Sequence, residues 1–495
     1  MGKRRYKGSI TVFLSLIMVV FFVFACSILE GIRIQGTKVR AAACLDMGLF
    51  SVFGEYERKL LSQYHVFFLD GSYGTGQIDE EKILERLRFF INQNADLREE
   101  GRIDWFPVKN TEIIMKEFFI ATDERGQGFF QQACLFMKGI EQIMNSKMES
   151  WQIEKVKEKV RMLQETKRNL LLLATKTDAE ITRAYKIESM PWLNENPKND
   201  ILEQTISAFF PISSKEIVAF DKVSERSCEK GNMNIRRENK DQKTLFLEYL
   251  FFTFGNAAEQ KERKGLLYEL EYLLEGHRSD RQNLRYVCEE ILEIRWADNF
   301  FTALQDEEKR KEAEAMINDW RKEKEKGKEQ EPEKEIQDKR EELDEAQIQL
   351  FLLAWAYQES ILDVKRLLCG FYVPLEKDGE QWQTEAEFWK NRKNNIFIEE
   401  DITGIWDYEG YLRLLFEIKQ DPELPMKALD LIEWELKSNE ETANFRADYC
   451  IGGMKVETHW EIEPFFFRIS EAFLNVGKRK MTYKAEGSFL YETEV

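Results

Sequence analysis

The stretch ITVFLSLIMVVFFVFACSIL, Ile10 to Leu29, is a run of 20 residues without one charge. At a rise of about 1.5 Å per residue it spans about 30 Å, the thickness of a bilayer's hydrocarbon core. No water is available there, so the backbone must pair within itself as a helix. Thr11, Ser15 and Ser27 are its only polar members, and each can bond back to its own helix. Lys3, Arg4, Arg5 and Lys7 precede it, and the positive-inside rule then puts the N-terminus in the cytoplasm. Phe246–Phe254 and Leu350–Tyr357 are too short to span and read as core helices. The expectation is a single-pass protein of the cell membrane with its body outside the cytoplasm. A cleaved secretory signal would need a shorter apolar region and a small-x-small site. Val23-Phe24-Ala25-Cys26 resembles a lipobox, but Phe24 is bulky for one and the apolar run continues past Cys26.

Outward from the span, apolar positions recur at Ile34, Ala41, Leu45, Gly48, Val52 and Tyr56, with Arg33, Lys38, Arg40, Asp46, Glu55, Glu57 and Arg58 between them. No proline intervenes before residue 107. One helix from about Ser9 to Gln63, roughly 80 Å long, is predicted. Its outer half must lie against its own body or a neighbouring subunit.

The body has material for a core. The 495 residues are 43% hydrophobic and 13% aromatic, which excludes wholesale disorder, and 9 prolines and 26 glycines favour helix. The net charge is −18, and −22 once the basic first eight residues are set aside. A body this acidic repels phosphate backbones, so nucleic acid is not an expected partner. Seven scattered cysteines show neither a dense even framework nor a CxxC zinc spacing, and read as small buried hydrophobes with at most a bridge.

The opening Lys7-Gly8-Ser9-Ile10-Thr11-Val12-Phe13, with Ile28-Leu29-Glu30-Gly31-Ile32-Arg33 and the Ala41–Ala43 cluster, resembles the TadE/TadG-type pseudopilins of tight-adherence (Tad) pilus systems. Pilin-like subunits cleaved after Gly usually carry Glu five positions later, where Phe13 stands here. A retained anchor is the better reading of that difference. The body resembles a large uncharacterised family of membrane-anchored proteins from Gram-positive anaerobes. The stretches that carry this are Tyr64–Asp70, Tyr268–Tyr272, Ser279–Leu284, Leu353–Tyr357 and Asp430–Trp434. That resemblance implies an accessory part of a Tad-type apparatus, with no assigned activity.

The fold class expected is α+β and helix-dominated, with the long N-terminal helix, a helical body containing a coiled-coil-like hairpin, and a small mixed β-sheet that includes the C-terminal strands. Residues 1–8 are the leader, 9–30 the span and 31–128 the helix extension with the first strands. Residues 129–190 form the long hairpin. Residues 191–320 and 346–440 are the helical body, 321–345 a charged linker, and 441–495 the C-terminal strands. Strands are expected at Tyr64–Leu69 and Thr111–Thr122, then at Phe445–Phe467 and Met481–Glu492, where Met454, Val456, Thr458 and Trp460 alternate with Lys455, Glu457, His459 and Glu461. Helices are expected at Ile78–Leu97, Phe129–Tyr185, Leu245–Asp319, Ile348–Leu368, Tyr411–Ile418 and Met426–Lys437. Arg321–Glu345 has 19 charged residues of 25 and can bury no core.

Catalytic signatures are lacking. His65, His277 and His459 stand apart, with no HExxH. Gly71-Ser72-Tyr73-Gly74-Thr75-Gly76 lacks the Lys-Ser/Thr of a phosphate loop and reads as a turn. Neither a Gly-x-Ser-x-Gly elbow nor a cysteine-nucleophile signature occurs. No catalytic, cofactor-binding or metal-ligating residue is therefore nominated, no cofactor is expected, and the chain is read as a non-enzyme. The expected partners are the bilayer through Ile10 to Leu29, pilus or secretion platform proteins, and a second copy. The alternatives are an anchored cell-envelope hydrolase, which needs two carboxylates about 5–9.5 Å apart in a cleft, and an extracytoplasmic sensor or binding protein. The eight-residue leader is too short to hold a signalling domain.

Overall fold

A computed structural model describes residues 7–96, 104–140, 150–176, 207, 212–217, 221–226, 231–233, 240–325, 340–387, 406–466 and 480–491. The elements run α1 (Lys7–Phe53), α2 (Arg58–Tyr64), β1 (Leu69–Asp70), α3 (Glu80–Ala95), β2 (Lys109–Ile120), α4 (Asp123–Lys138) and α5 (Ser150–Lys176). They continue as α6 (Lys240–Thr253), α7 (Glu269–Glu275), α8 (Asp280–Gln305), α9 (Glu307–Glu325), α10 (Arg340–Leu368), α11 (Tyr408–Lys419), α12 (Leu424–Lys437), β3 (Cys450–Ile462) and β4 (Met481–Leu490). Helix dominates, as expected. The chain divides into two compact units, one of Met1–Gln142, Asp221–Tyr249 and Ala428–Val495, the other of Ile143–Phe220 and Leu250–Lys427.

The first unit is built on α1, a 47-residue helix about 70 Å long. Ser15 and Ser27 hydroxyls donate to the carbonyls of Val12 (2.8 Å) and Val23 (2.9 Å), so the apolar half leaves these groups satisfied within the helix. The outer half turns Ala41, Cys44, Leu45, Leu49, Val52 and Phe53 into a core shared with Ile83, Leu87 and Ile91 of α3 and Met454, Val456 and Trp460 of β3. The stripe read from the sequence thus packs on the chain's own body. Gly48 allows the close approach of α3, because a Cβ there would lie 2.7 Å from Ile91 Cγ1. The helix ends ten residues before the expected Gln63. At Gly54–Glu57 the chain leaves it: Glu55 reaches out to Arg86, and the Glu57 carboxylate caps α2 by accepting from the Lys59 amide at 3.1 Å.

The sheet has β3 at its centre. β2 lies along one edge, from Lys109 opposite Glu461 to Ile120 opposite Ile451, and β4 and then β1 lie along the other. Every one of these pairings is antiparallel, so the sheet expected as mixed is antiparallel among the described residues. The alternation of β3 is as read: Met454, Val456, Thr458 and Trp460 are buried, and Glu457 and His459 form a polar cluster on the opposite face with Lys116 and Lys484. The strand expected at Tyr64–Leu69 shrinks to Leu69–Asp70. Tyr64 closes α2, His65 takes a left-handed cap (φ 56°), and the Gln132 side chain occupies both the N–H and the carbonyl of Phe67 at 2.6 Å each. A side-chain amide thus stands where a neighbouring strand would be.

In the second unit α10 returns antiparallel along α8 and α9. Arg295 pairs with Asp363, Asn299 with Ser360, and Arg310 with Glu345. The helix expected over Leu245–Asp319 is interrupted at 276–279, at 306 and, most widely, at 254–268. The Gly255 and Ala257 amides donate to the carboxylates of Glu269 and Glu271 at 2.8 Å, which holds this segment as a loop. The expected hairpin at Phe129–Tyr185 is represented by α4 and the single helix α5; residues 141–149 and 177–185 lie outside the described set, as do 326–339 of the charged segment. At the edges of that segment α9 runs to Glu325 and α10 starts at Arg340, so both flanks are helix.

Candidate functional site

Charged side chains are mostly at surfaces, so the place to look for chemistry is where they are not. The second unit encloses an alternating series: Lys159, Asp298, Arg295, Asp363, Lys377 and Glu359. Arg295 is fully buried and donates to Asp363 (3.1 Å), Asn299 (3.2 Å) and the carbonyls of Pro374 (3.0 Å) and Leu375 (2.9 Å). Lys377 bridges Asp363 (2.9 Å) and Glu359, and Glu359 also accepts from the amides of Gln383 and Thr384. Burial pushes Asp363 up, but the Lys377 and Arg295 charges prevail and hold it below the usual carboxylate range. Glu359 and Asp363 sit together on α10, yet both are sealed from solvent and bridged by a lysine. This pair offers no water a path to a glycosidic bond. The cluster's evident work is to fasten residues 374–384 to α8 and α10.

Beside it opens a cleft of about 250 Å³ lined by Trp151, Lys155, Lys159, Asp298, Glu376 and Trp406, among others. Its charges are already spent on one another: Lys155 pairs with Glu376, and Lys159 with Asp298 at 2.7 Å and Glu376 at 3.4 Å. Two indoles and paired charges could hold a flat polar molecule by stacking. The arrangement presents neither a nucleophile with a base nor an oxyanion cradle.

A third buried group is Glu271 on α7. It accepts from the Tyr408 hydroxyl and the Ala257 amide, each at 2.8 Å, and its second oxygen has no hydrogen-bond partner among the described residues. Burial raises its pKa to about 7, against which the two hydrogen bonds pull weakly. Burial likewise pushes the neighbouring Cys288 thiol up, away from reactivity.

His65 stacks on Phe136, His277 stacks on Tyr286, and His459 lies between the carboxylates of Glu112 (2.9 Å) and Glu457 (2.6 Å). Among the described residues no group of three or more His, Cys, Asp or Glu side chains could hold a metal ion. Cys44, Cys134, Cys288 and Cys450 are buried thiols outside any disulfide among the described residues, and Cys134 donates to the Gln242 carbonyl at 3.2 Å. The Gly71–Gly76 stretch is a turn, with Gly74 and Gly76 at positive φ and Asp70 accepting from the Ser72 amide and hydroxyl.

Three of the five stretches singled out in the sequence hold buried polar side chains. Glu269 and Glu271 lie in Tyr268–Tyr272. Asp280, which accepts from Ser213 (2.6 Å) and the amides of Leu267 and Tyr268, lies in Ser279–Leu284. Asp430 and Glu433 lie in Asp430–Trp434. Asp430 holds Ser224, and Glu433 holds Arg226 at 2.7 Å, so together they bind residues 221–226 into the first unit. None of these groupings was legible as a constellation, because each charge resembles many others in a chain that is 33% charged.

No curated protein and no solved structure matches the chain. A family profile, described as a family of unknown function (DUF5702), matches residues 182–319 and 340–462, more than half of the length and including Glu271, Asp280, Arg295, Asp363 and Glu433. The chain belongs to this family of unknown function, DUF5702.

Proposed function

We propose that the protein is a membrane-anchored structural subunit, held by one transmembrane helix with its body outside the cytoplasm, serving as a pseudopilin-like accessory part of a Tad-type pilus or secretion apparatus. The observation that carries this reading is α1. An 18-residue window within Ile10–Phe53 averages a hydropathy of 2.9 with none of it buried by protein, and the same helix continues unbroken into the core of the first unit. A helix built this way transmits position rather than chemistry: any load on the body is borne by the span through a packed core. The N-terminal resemblance to TadE/TadG-type pseudopilins supports the choice of apparatus, and the resemblance of the body to proteins of Gram-positive anaerobes supports the setting. Phe13 supports a retained span. The reading assigns the chain no reaction of its own.

Two measurements test it. Protease added outside spheroplasts should digest the body and leave the N-terminal segment protected. Affinity purification of the full chain from membranes should recover pilus platform proteins. A deletion strain that assembles normal pili, with no platform protein recovered, overturns the reading.

A further inference from the structure

The first unit carries a second apolar feature midway along α1, where the apolar run ends. β3 ends at Ile462, and residues 463–466 then reach the helix where the apolar run stops. The Glu30 carboxylate accepts from the amides of Phe465 (3.1 Å) and Phe466 (2.6 Å), and the Arg33 guanidinium donates to Glu30 (3.2 Å) and to the Glu463 carbonyl. Glu30 is 0% exposed and Arg33 6%. Glu30 is also the residue directly after Leu29, so the two phenylalanine amides bond within about 1.5 Å of helix rise from the end of the run. The headgroup layer extends about 5–7 Å beyond the hydrocarbon on each side.

Phe465 is 53% exposed, and its ring meets that of Phe466 edge-on at 5.2 Å. An aromatic ring left half in water forfeits burial that a lipid interface would supply. A bare carboxylate at the same depth would be costly, but here it is closed by two amides and a guanidinium. The direction of the sheet agrees: Ile462 pairs with Met481 at the lower end of β3, and Met481 is also 41% exposed.

We infer that Phe465, with Phe466 beside it, is a lipid seat that inserts into the headgroup–acyl boundary of the bilayer α1 spans, held at that depth by the Glu30–Arg33 clamp. The inference rests on the reading of α1 as a transmembrane anchor. The occupant is lipid, because the site continues directly from the span and lies at the same level along the helix.

The test places photoreactive benzoyl-phenylalanine, one position at a time, at Phe21, Phe465 and Phe89 of the full chain in native membranes, followed by irradiation and mass detection of lipid adducts. Phe89 is 48% exposed, and its helix packs at Gly48, about 27 Å further along α1 than Glu30. Adducts at 21 and 465 and none at 89 are expected. Adducts at 21 with none at 465, or with crosslinks at 465 to a second copy, overturn the lipid seat and leave the anchor standing. Absence at both 21 and 465 overturns the anchor and the seat together. Glu30→Ala should lower the yield at 465 about tenfold, as expected for loss of hydrogen bonds to a charged group, with the yield at 21 unchanged; an equal yield at 465 overturns the clamp.

Discussion

Glu271 is a single carboxyl whose environment makes stability depend on pH. Its pKa is raised from the ordinary 4.5 to about 7 by burial, so between those values the unfolded chain gives up a proton that the folded chain keeps. Folding is therefore favoured most below about 4.5, and the contribution is lost as pH rises through about 7. Glu271→Gln keeps the acceptor for Tyr408 and Ala257 without the charge. It should raise the midpoint of thermal unfolding at pH 8, by up to about 3 kcal/mol of stability, and leave the midpoint at pH 4 nearly unchanged. A shift of equal size at both pH values would show that shape, not charge, decides. Lys377 gives the opposite case. Lys377→Met leaves the buried Glu359 without its cation and Asp363 with Arg295 alone, and denaturant unfolding should show a loss of about 3–5 kcal/mol. Neither residue was recognisable beforehand. Glu271 looked like one of 90 acidic residues, and Lys377 joins Glu359 and Asp363 only once the chain after α10 folds back.

Elements that stand on their own periodicity were legible. Asp79 caps α3 by accepting from the Lys82 amide at 2.9 Å, and Ile83, Leu87 and Ile91 make its buried face. The alternation of β3 and the stripe of α1 followed from spacing alone. Strand β2, read as alternating Ile113, Met115, Glu117 and Phe119 against Ile114, Lys116, Phe118 and Ile120, shifts register between Met115 and Glu117, so that Phe118 and Ile120 join Ile113 and Met115 at the core. What was not legible depends on a partner far away in the chain. The Gln132 amide displaces the strand expected at Tyr64–Leu69, and carboxylates of α7 hold the loop that interrupts the long helix expected from Leu245. The α1–β4 interface offers a clean test of how tightly α1 is seated. A Cβ on Gly487 would lie 2.9 Å from Leu45 Cγ and 3.0 Å from Leu49 Cδ1. Gly487→Val should cost about 1–3 kcal/mol by overpacking, read as faster amide exchange across the outer half of α1, while membrane insertion is unchanged.

At the scale of the whole molecule, the first unit gathers three separate segments of the chain, and its central strand lies in the last of them. A chain ending after Thr442 lacks β3 and β4. It should still insert by its first helix, but the outer half of that helix should become protease-sensitive, because Met454, Val456, Trp460 and Ala485 no longer cover it. A protease-resistant outer half in that truncated chain would show that α3 suffices. The same arrangement governs the order of events during synthesis. β2 ends at Ile120 and its partner β3 starts at Cys450, so the sheet waits for roughly 330 further residues, about 15–65 s at the usual pace of translation. Through that interval the newly made helix stands with an uncovered apolar flank while the rest of the protein is still emerging. A holdase that meets the growing chain therefore has a defined client, and the period of risk closes only when the last strands, β3 and β4, arrive.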